Sequence, residues 1–337
     1  MTVDAQRLAA LVGEFARKRV LVVGDLMLDE YLWGKVSRIS PEAPVPIVEV
    51  ARESYFPGGA ANVARNVREF TPSTMALGRV GADRYGCQLR ELLSASGIDT
   101  SGVREHSAVS TTVKSRVIAR NQQVVRVDRE TRTPLAPEQE EYALRFVDAA
   151  IHAVDAVIVA DYGKGFLTQR FADGVCDIAS RAGCILTIDP HPYTTIDWRG
   201  ATAIKPNRLE AFLASGQPPS DPVTPVLGDR ALLEAGRRLK ERWQPHDLLI
   251  TLGEHGMVLF AGSDAPCHIP TCARAVFDVS GAGDTAIAIF TLALAAGASA
   301  LEAAHLANVA SGVVVGKLGT AAITPDELTS ALKGSFA

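Results

Sequence analysis

The chain has 337 residues, 47% of them hydrophobic, and a net charge of −4. That supplies apolar material for a large core, and a weakly acidic chain without a clustered basic excess carries no nucleic-acid footprint. The five cysteines, Cys87, Cys176, Cys184, Cys267 and Cys272, are odd in number and contain no Cys-x-x-Cys pair. Reduced thiols are therefore expected rather than a disulfide framework, and no His pair stands at zinc spacing beside Cys267 and Cys272.

In chain order, Met1 to Val20 is amphipathic, with Leu8, Leu11, Val12 and Phe15 on one helical face; it is not a signal peptide. Arg19–Gly24 reads as a buried strand ending in a glycine turn. Asp29 to Tyr55 and Thr111 to Arg129 alternate at period two, and the second reads as a hairpin turning near Asn121-Gln122. They predict a small separate sheet, formed by insertions at about 29–55 and 109–130. The apolar runs Ala156–Ala160, Cys184–Ile188, Ala201–Ile204 and Asp247–Thr251 predict parallel strands. Between them, Pro137–Ala153, Thr168–Ala182 and Asp229–Trp243 carry the helical period. The alternation predicts an α/β body with a mostly parallel central sheet, and residues 1–337 as a single domain. Gln217–Leu227, rich in proline, predicts an exposed loop. The apolar run Ala286–Ala296 is too short to span a bilayer, so no membrane association is expected.

Chemistry concentrates in a few places. Gly281-Ala282-Gly283-Asp284 precedes an apolar helical run. Small residues there let backbone N–H groups converge on an anion. Asp284 fits either a helix N-cap or a general base. Asn207 and Glu210, spaced as Asn-x-x-Glu, fit either a capping box or the surroundings of a hard dication. Thr251, Gly253 and Gly256 form a glycine turn after a strand. Asp25 and Asp29 follow the first strand, where a carboxylate can accept from hydroxyls. A GxGxxG pattern is missing after that strand, which excludes a dinucleotide-binding dehydrogenase.

Asp278-Val279-Ser280-Gly281-Ala282-Gly283-Asp284 resembles the second signature of the ribokinase (pfkB-type) family of carbohydrate kinases. Gly58-Gly59-Ala60-Ala61-Asn62-Val63-Ala64 resembles the first. The resemblance runs over roughly residues 15 to 330. It implies a Rossmann-like three-layer body with a small β-sheet lid. It also implies a kinase using ATP and Mg2+, with a monovalent cation near Asp278. Asp284 would be the catalytic base, and Gly281, Ala282 and Gly283 its anion hole. Asn207, Glu210, Thr251, Gly253, Gly256 and Asn308 would serve ATP and Mg2+, Glu210 reaching the metal through water. Asp25, Asp29, Gly58, Gly59 and Asn62 would contact the sugar.

Three stretches, Gly24–Asp29, Gly34–Pro46 and Phe56–Ala64, together with Lys317-Leu318-Gly319-Thr320, narrow the resemblance to the branch acting on D-glycero-β-D-manno-heptose 7-phosphate. That branch phosphorylates the C1 hydroxyl on the way to ADP-heptose for lipopolysaccharide. An anionic sugar needs cations, and Lys35, Arg38, Lys114, Arg116, Arg120 and Arg126 lie in the inserted sheet. Lys114 and Arg116, two apart on one strand face, are candidates for the phosphate. Some relatives fuse a nucleotidyltransferase with an His-x-Gly-His motif; its absence here leads us to expect the kinase step alone. His191 stands where many relatives carry Lys. Another sugar or nucleoside kinase, and a non-catalytic nucleotide- or sugar-binding regulator, remain alternatives. A cytoplasmic homodimer paired through the lid is expected, because an exposed sheet edge is blunted by pairing.

Overall fold

A computed structural model of the chain describes residues 4–120, 122–273, 277–317 and 321–335. After helix α1 (Ala5–Glu14), the apolar run Arg19–Gly24 forms β1. The chain then leaves the body through two long strands, β2 (Leu26–Ile39) and β3 (Pro46–Gly59), and returns on α2 (Ala60–Arg68). Next come β4 (Ser73–Gly81), α3 (Arg84–Ala95) and β5 (Asp99–His106). A second departure makes β6 (Thr112–Ala119) and β7 (Gln122–Arg129). Back in the body follow α4 (Pro137–Ala150), β8 (Ala156–Ala160), α5 (Gln169–Ala182) and β9 (Ile185–Asp189). Then come β10 (Ala203–Ile204), α6 (Arg208–Ala214), α7 (Arg230–Trp243) and β11 (Asp247–Thr251). The chain ends with β12 (Met257–Ala261), β13 (Cys267–Ile269), α8 (Ala282–Ala295), α9 (Ala300–Val314) and α10 (Pro325–Ser335).

The body sheet has the order β13-β12-β11-β10-β9-β8-β1-β4-β5, and β12 alone runs against the others. It is the mostly parallel sheet read from the apolar runs. Its strands are buried on both faces because successive side chains feed two cores. Val20 and Val22 pack with α1, α2, α8 and α9, whereas Leu21 and Val23 pack with α4, α5 and α7. Strands added early, β4 and β5, lie on one side of β1, and β8 onwards lie on the other. That reversal opens a crevice at the carboxyl ends of β1 and β8. Among the described residues no helix is long and apolar enough to cross a membrane.

The two inserted segments make the separate sheet, in the order β3-β2-β6-β7. Its pairs are antiparallel except β2 with β6. It is rooted over the crevice, where Leu26 pairs with Gly59 and Met27 with Thr112. Gln122 begins β7 rather than completing a turn, and Asn121 lies outside the described residues. Ala201 and Thr202 also fall outside a strand: β10 keeps two residues.

Helix α8 is seated on the sheet by a polar contact inside the core. Thr187 Oγ1 and Thr291 Oγ1 lie 2.6 Å apart, and the Thr291 hydroxyl also donates to Ile287 O at 2.7 Å. Both threonines are fully buried. Thr291→Val leaves the Thr187 hydroxyl without a partner and is expected to cost about 1–3 kcal/mol. Thr187→Val should cost less, because Thr291 keeps Ile287. In urea unfolding the double variant should be less destabilised than the sum of the single ones; simple additivity would refute this coupling.

Candidate active site

Asp25 follows β1 directly and is 4% exposed. Its Oδ2 accepts the backbone N–H groups of Tyr162 and Lys164, each at 3.0 Å, and its Oδ1 accepts that of Phe166 at 3.0 Å. The carboxylate expected to meet a sugar is thus engaged in holding the loop after β8. That loop carries two groups not singled out in the sequence, Tyr162 and Lys164. At the lid root, a side chain on Gly58 would meet the Asp29 carboxylate at 2.9 Å. Gly59 has φ +58° and would place a Cβ 2.6 Å from Asp25 O, so the turn into α2 requires glycine.

Helices α2 and α8 are locked together through Asn66. Its Oδ1 accepts the Thr285 hydroxyl at 2.8 Å and its Nδ2 donates to Asn62 O at 2.9 Å. This brings Asn62 to Asp284, where Nδ2 donates to Oδ2 at 2.6 Å. Tyr162 donates its hydroxyl to the other oxygen at 2.5 Å. Asn62 therefore touches the candidate base, and its Oδ1 is buried without a partner among the described residues. Gly281, at φ +81°, is the N-cap of α8. Ala282, Gly283 and Asp284 are consequently the first helical turn, not a loop before it, and Asp284 is not the N-cap. The Ala282 N–H is taken by Val279 O at 3.3 Å, but the following N–H groups of this turn and the helix dipole still favour an anion. Burial pushes the Asp284 carboxyl up to about 6, against the hydrogen bonds from Tyr162 and Asn62; Asp189 adds to the rise and Lys205 opposes it.

Lys205 closes the site from below. Its Nζ lies 2.9 Å from Asp189 Oδ1, and a Cβ on Gly283 would come within 3.6 Å of it. Burial disfavours its ammonium, but Asp189, Glu210 and Asp284 more than offset this and raise its pKa. A lysine immediately before Pro206-Asn207 was the only sequence sign of it. Asn207 and Glu210 form the reciprocal capping box: Asn207 N–H donates to Glu210 Oε2 at 2.6 Å and Glu210 N–H to Asn207 Oδ1 at 2.9 Å. Burial and the neighbouring Asp189 nonetheless push Glu210 up to about 7. Thr251 sits beside Asn207 in a parallel bridge. The turn Gly253–Gly256 follows it, with Leu252 N–H on Gly256 O at 2.8 Å. Asn308 donates to Pro270 O at 2.6 Å and to Cys272 Sγ at 3.4 Å, so its amide holds the segment after β13. Asp278 Oδ1 accepts the Ser280 N–H at 2.9 Å.

On the lid side, Arg116 is tied to Asp29 at 2.6 Å. Lys114 pairs in register with Asp29 but forms no ion pair within 4.0 Å among the described residues. Burial lowers its pKa, Asp29 resists this, and Lys164, Arg116 and Arg126 lower it further. Lys164 reaches Glu130 at 2.6 Å. The His191 ring packs against Gly163, and burial, with Lys164 nearby, lowers its pKa. Arg38 is not brought to this site. It is exposed near the far end of β2, nine residues beyond Asp29, or about 30 Å of extended chain. Leu318, Gly319 and Thr320 lie outside the described residues.

The assembled groups can accept a proton from a hydroxyl at Asp284 while the first turn of α8 and Lys205 stabilise a neighbouring anion. Comparison with known proteins identifies the family. Residues 17–327 match the model described as pfkB family carbohydrate kinase. Two bacterial relatives, each named bifunctional protein HldE, are similar to the chain. That of Trichlorobacter lovleyi is 42% identical over 98% of this chain, and that of Desulfatibacillum aliphaticivorans 44% over 96%. The chain spans 66% and 64% of their lengths. Among solved structures, Arabidopsis thaliana ribokinase complexed with ribose and ATP superimposes with a TM-score of 0.71 at 19% identity, covering 94% of this chain and 99% of its own. Escherichia coli phosphofructokinase-2 in complex with potassium gives 0.72 at 17%, covering 95% and 100%. These two likenesses concern the fold.

Proposed function

The chain belongs to the pfkB family of carbohydrate kinases, and within that family we propose that it transfers a phosphoryl group from ATP to the C1 hydroxyl of D-glycero-β-D-manno-heptose 7-phosphate. The product, a heptose 1,7-bisphosphate, leads toward ADP-heptose. The observation that carries the transfer is the setting of Asp284: a carboxyl poised near neutral pH in the first turn of α8, with Lys205 against the same turn.

Asp284 takes the proton of the C1 hydroxyl as the hydroxyl oxygen attacks the terminal phosphorus of ATP, whose bond to the bridging oxygen breaks to release ADP. The amides around Gly281, Ala282 and Gly283 meet the charge on the moving phosphoryl group. The orphaned Oδ1 of Asn62 accepts from a second sugar hydroxyl. Mg2+ fits beside Glu210, a carboxylate that burial and the neighbouring Asp189 push up to about 7. Among the described residues no group of three or more His, Cys, Asp or Glu could chelate it, so Glu210 would hold it through water, as an ion arriving with the nucleotide. When bound, it screens the phosphate charges. A monovalent cation near Asp278 belongs to the same reading. With all five cysteines free, the reaction suits the reducing cytoplasm.

The substrate assignment draws on the Arg38–Pro46 stretch and on the lid cations. Because Arg116 is neutralised by Asp29 and Lys164 by Glu130, Lys114 is the better candidate for the sugar phosphate. A copy-to-copy contact through the lid is part of the proposal: every residue of edge strand β7 is exposed, including Val124, Val125 and Val127.

Asp284→Asn is expected to lower turnover at least a thousandfold with sugar binding largely kept; near-normal turnover would remove the base assignment. In a panel scored by ADP release, heptose 7-phosphate should outperform ribose, fructose 6-phosphate and nucleosides. Lys114→Met should raise KM for the phosphorylated sugar about ten- to a hundredfold while sparing KM for ATP, and a free sugar preferred by the wild type would overturn the assignment. Light scattering should give twice the chain mass of 35.7 kDa; a single-chain mass would dismiss the lid contact.

A further inference from the structure

Among the described residues, Tyr162 is the one side chain hydrogen-bonded to the Asp284 carboxylate that neither family signature contains. We infer that Tyr162 is the positioning residue of the catalytic base, holding one oxygen of Asp284 by a permanent hydrogen bond and so fixing the carboxylate plane and keeping it ionised. The inference rests on the assignment of Asp284 as base and adds to it how that base is kept competent.

The geometry is built from three elements that meet only in the folded chain. Asn62 of α2 donates to Oδ2 at 2.6 Å and Tyr162, after β8, donates to Oδ1 at 2.5 Å. Each oxygen of the α8 carboxylate thereby keeps a lone pair for a substrate hydroxyl, and the carboxylate cannot swing. Tyr162 itself is pinned from behind. Its N–H and those of Lys164 and Phe166 all end on the Asp25 carboxylate, so the phenol cannot withdraw without breaking those three bonds.

The charged surroundings make this donor matter. Asp284 faces Asp189 at the end of β9 and Lys205 after β10, with Glu210 of α6 near the same lysine. Burial and Asp189 favour the protonated, inactive acid; Lys205, Asn62 and Tyr162 favour the carboxylate. Tyr162 keeps its own proton because burial first, and then Asp284, raise its pKa well above the ordinary phenol range. It therefore donates at every working pH and never competes as a base. With the carboxyl near pH 6, wild-type activity should fall on acidification through that value, since the base works only ionised. Loss of the donor raises the pKa, so activity is lost at a higher pH.

The test is the titration of the Asp284 carboxyl by carbon-13 NMR, assigned against Asp284→Asn, in wild type, Tyr162→Phe, and protein with 3-fluorotyrosine at position 162. Tyr162→Phe should move the midpoint up by about one pH unit, and 3-fluorotyrosine, a stronger donor that preserves ring and hydroxyl, should move it down. The acid limb of kcat/KM, measured on whichever sugar the wild type turns over, should follow the same order, with KM for the sugar changed less than threefold. Coincident midpoints in the three proteins, or a loss uniform across pH, would overturn the inference. If Tyr162→Phe proves unfolded by circular dichroism, the fluorotyrosine shift decides alone. An active Asp284→Asn enzyme would instead refute the base assignment, and the two failures are thus distinguishable.

Discussion

A carboxylate withdrawn from water must be met by donors or cations, and five gather near the carboxyl ends of the central strands: Asp25 and Asp161, which are buried, and Asp189, Glu210 and Asp284, which are half-buried. Each is answered differently. Asp25 takes three backbone N–H groups, and Asp161 takes the Gly163 N–H and the Thr194 hydroxyl. Asp189 has Lys205, Glu210 has the Asn207 N–H, and Asp284 has Asn62 and Tyr162. These answers fix the loop after β8, the start of α6 and the packing of α2 on α8. The site's geometry is in large part the way the chain satisfies its own buried charge.

The compensation is incomplete, and the shortfall is where chemistry becomes available. Asp161 and Asp284 are both pushed up to about 6, and Glu210 to about 7, chiefly by burial. A carboxyl near neutrality can exchange protons at working pH, and a crowded acid is receptive to an arriving cation. The lid contributes the opposite imbalance: Lys114 is surrounded by Lys164, Arg116 and Arg126, with Asp29 opposing them and already bound to Arg116. An acidic body and a cationic lid enclose one crevice, an arrangement suited to a substrate with an anionic end and a hydroxyl to be deprotonated.

Legibility varied with the locality of the cause. Strands β1, β8 and β11 were readable residue for residue, because a strand covered on both faces is apolar throughout. The inserted sheet was readable from its period of two. Strands β4 and β5 were not singled out: β5 is an edge strand with exposed polar residues, and β4 mixes Thr74 and Arg79 into its apolar run. Around Asp284 the reading set the helix start three residues late, at Thr285: Gly281 caps the helix, which begins at Ala282 and draws the aspartate into its first turn.

By itself the sequence determined the layered α/β body and the inserted sheet, since periodicity acts over a few neighbouring residues; local chemistry left Asp284 between a helix cap and a base, and the family resemblance singled it out as the candidate base. Only the tertiary structure decided which side chains that base would meet. Tyr162 lies 122 positions from Asp284, and Asn62 lies 222. Asp25 was legible as a carboxylate at a strand end, yet its use was set by a loop 137 to 141 residues away. Arg38 and Arg116 both looked like cations for an anionic sugar. Strand length carried one out of reach, and Asp29 in the neighbouring strand neutralised the other. Charge is written in the chain, but its partner, and with it the free energy of its ionised form, is assigned by packing.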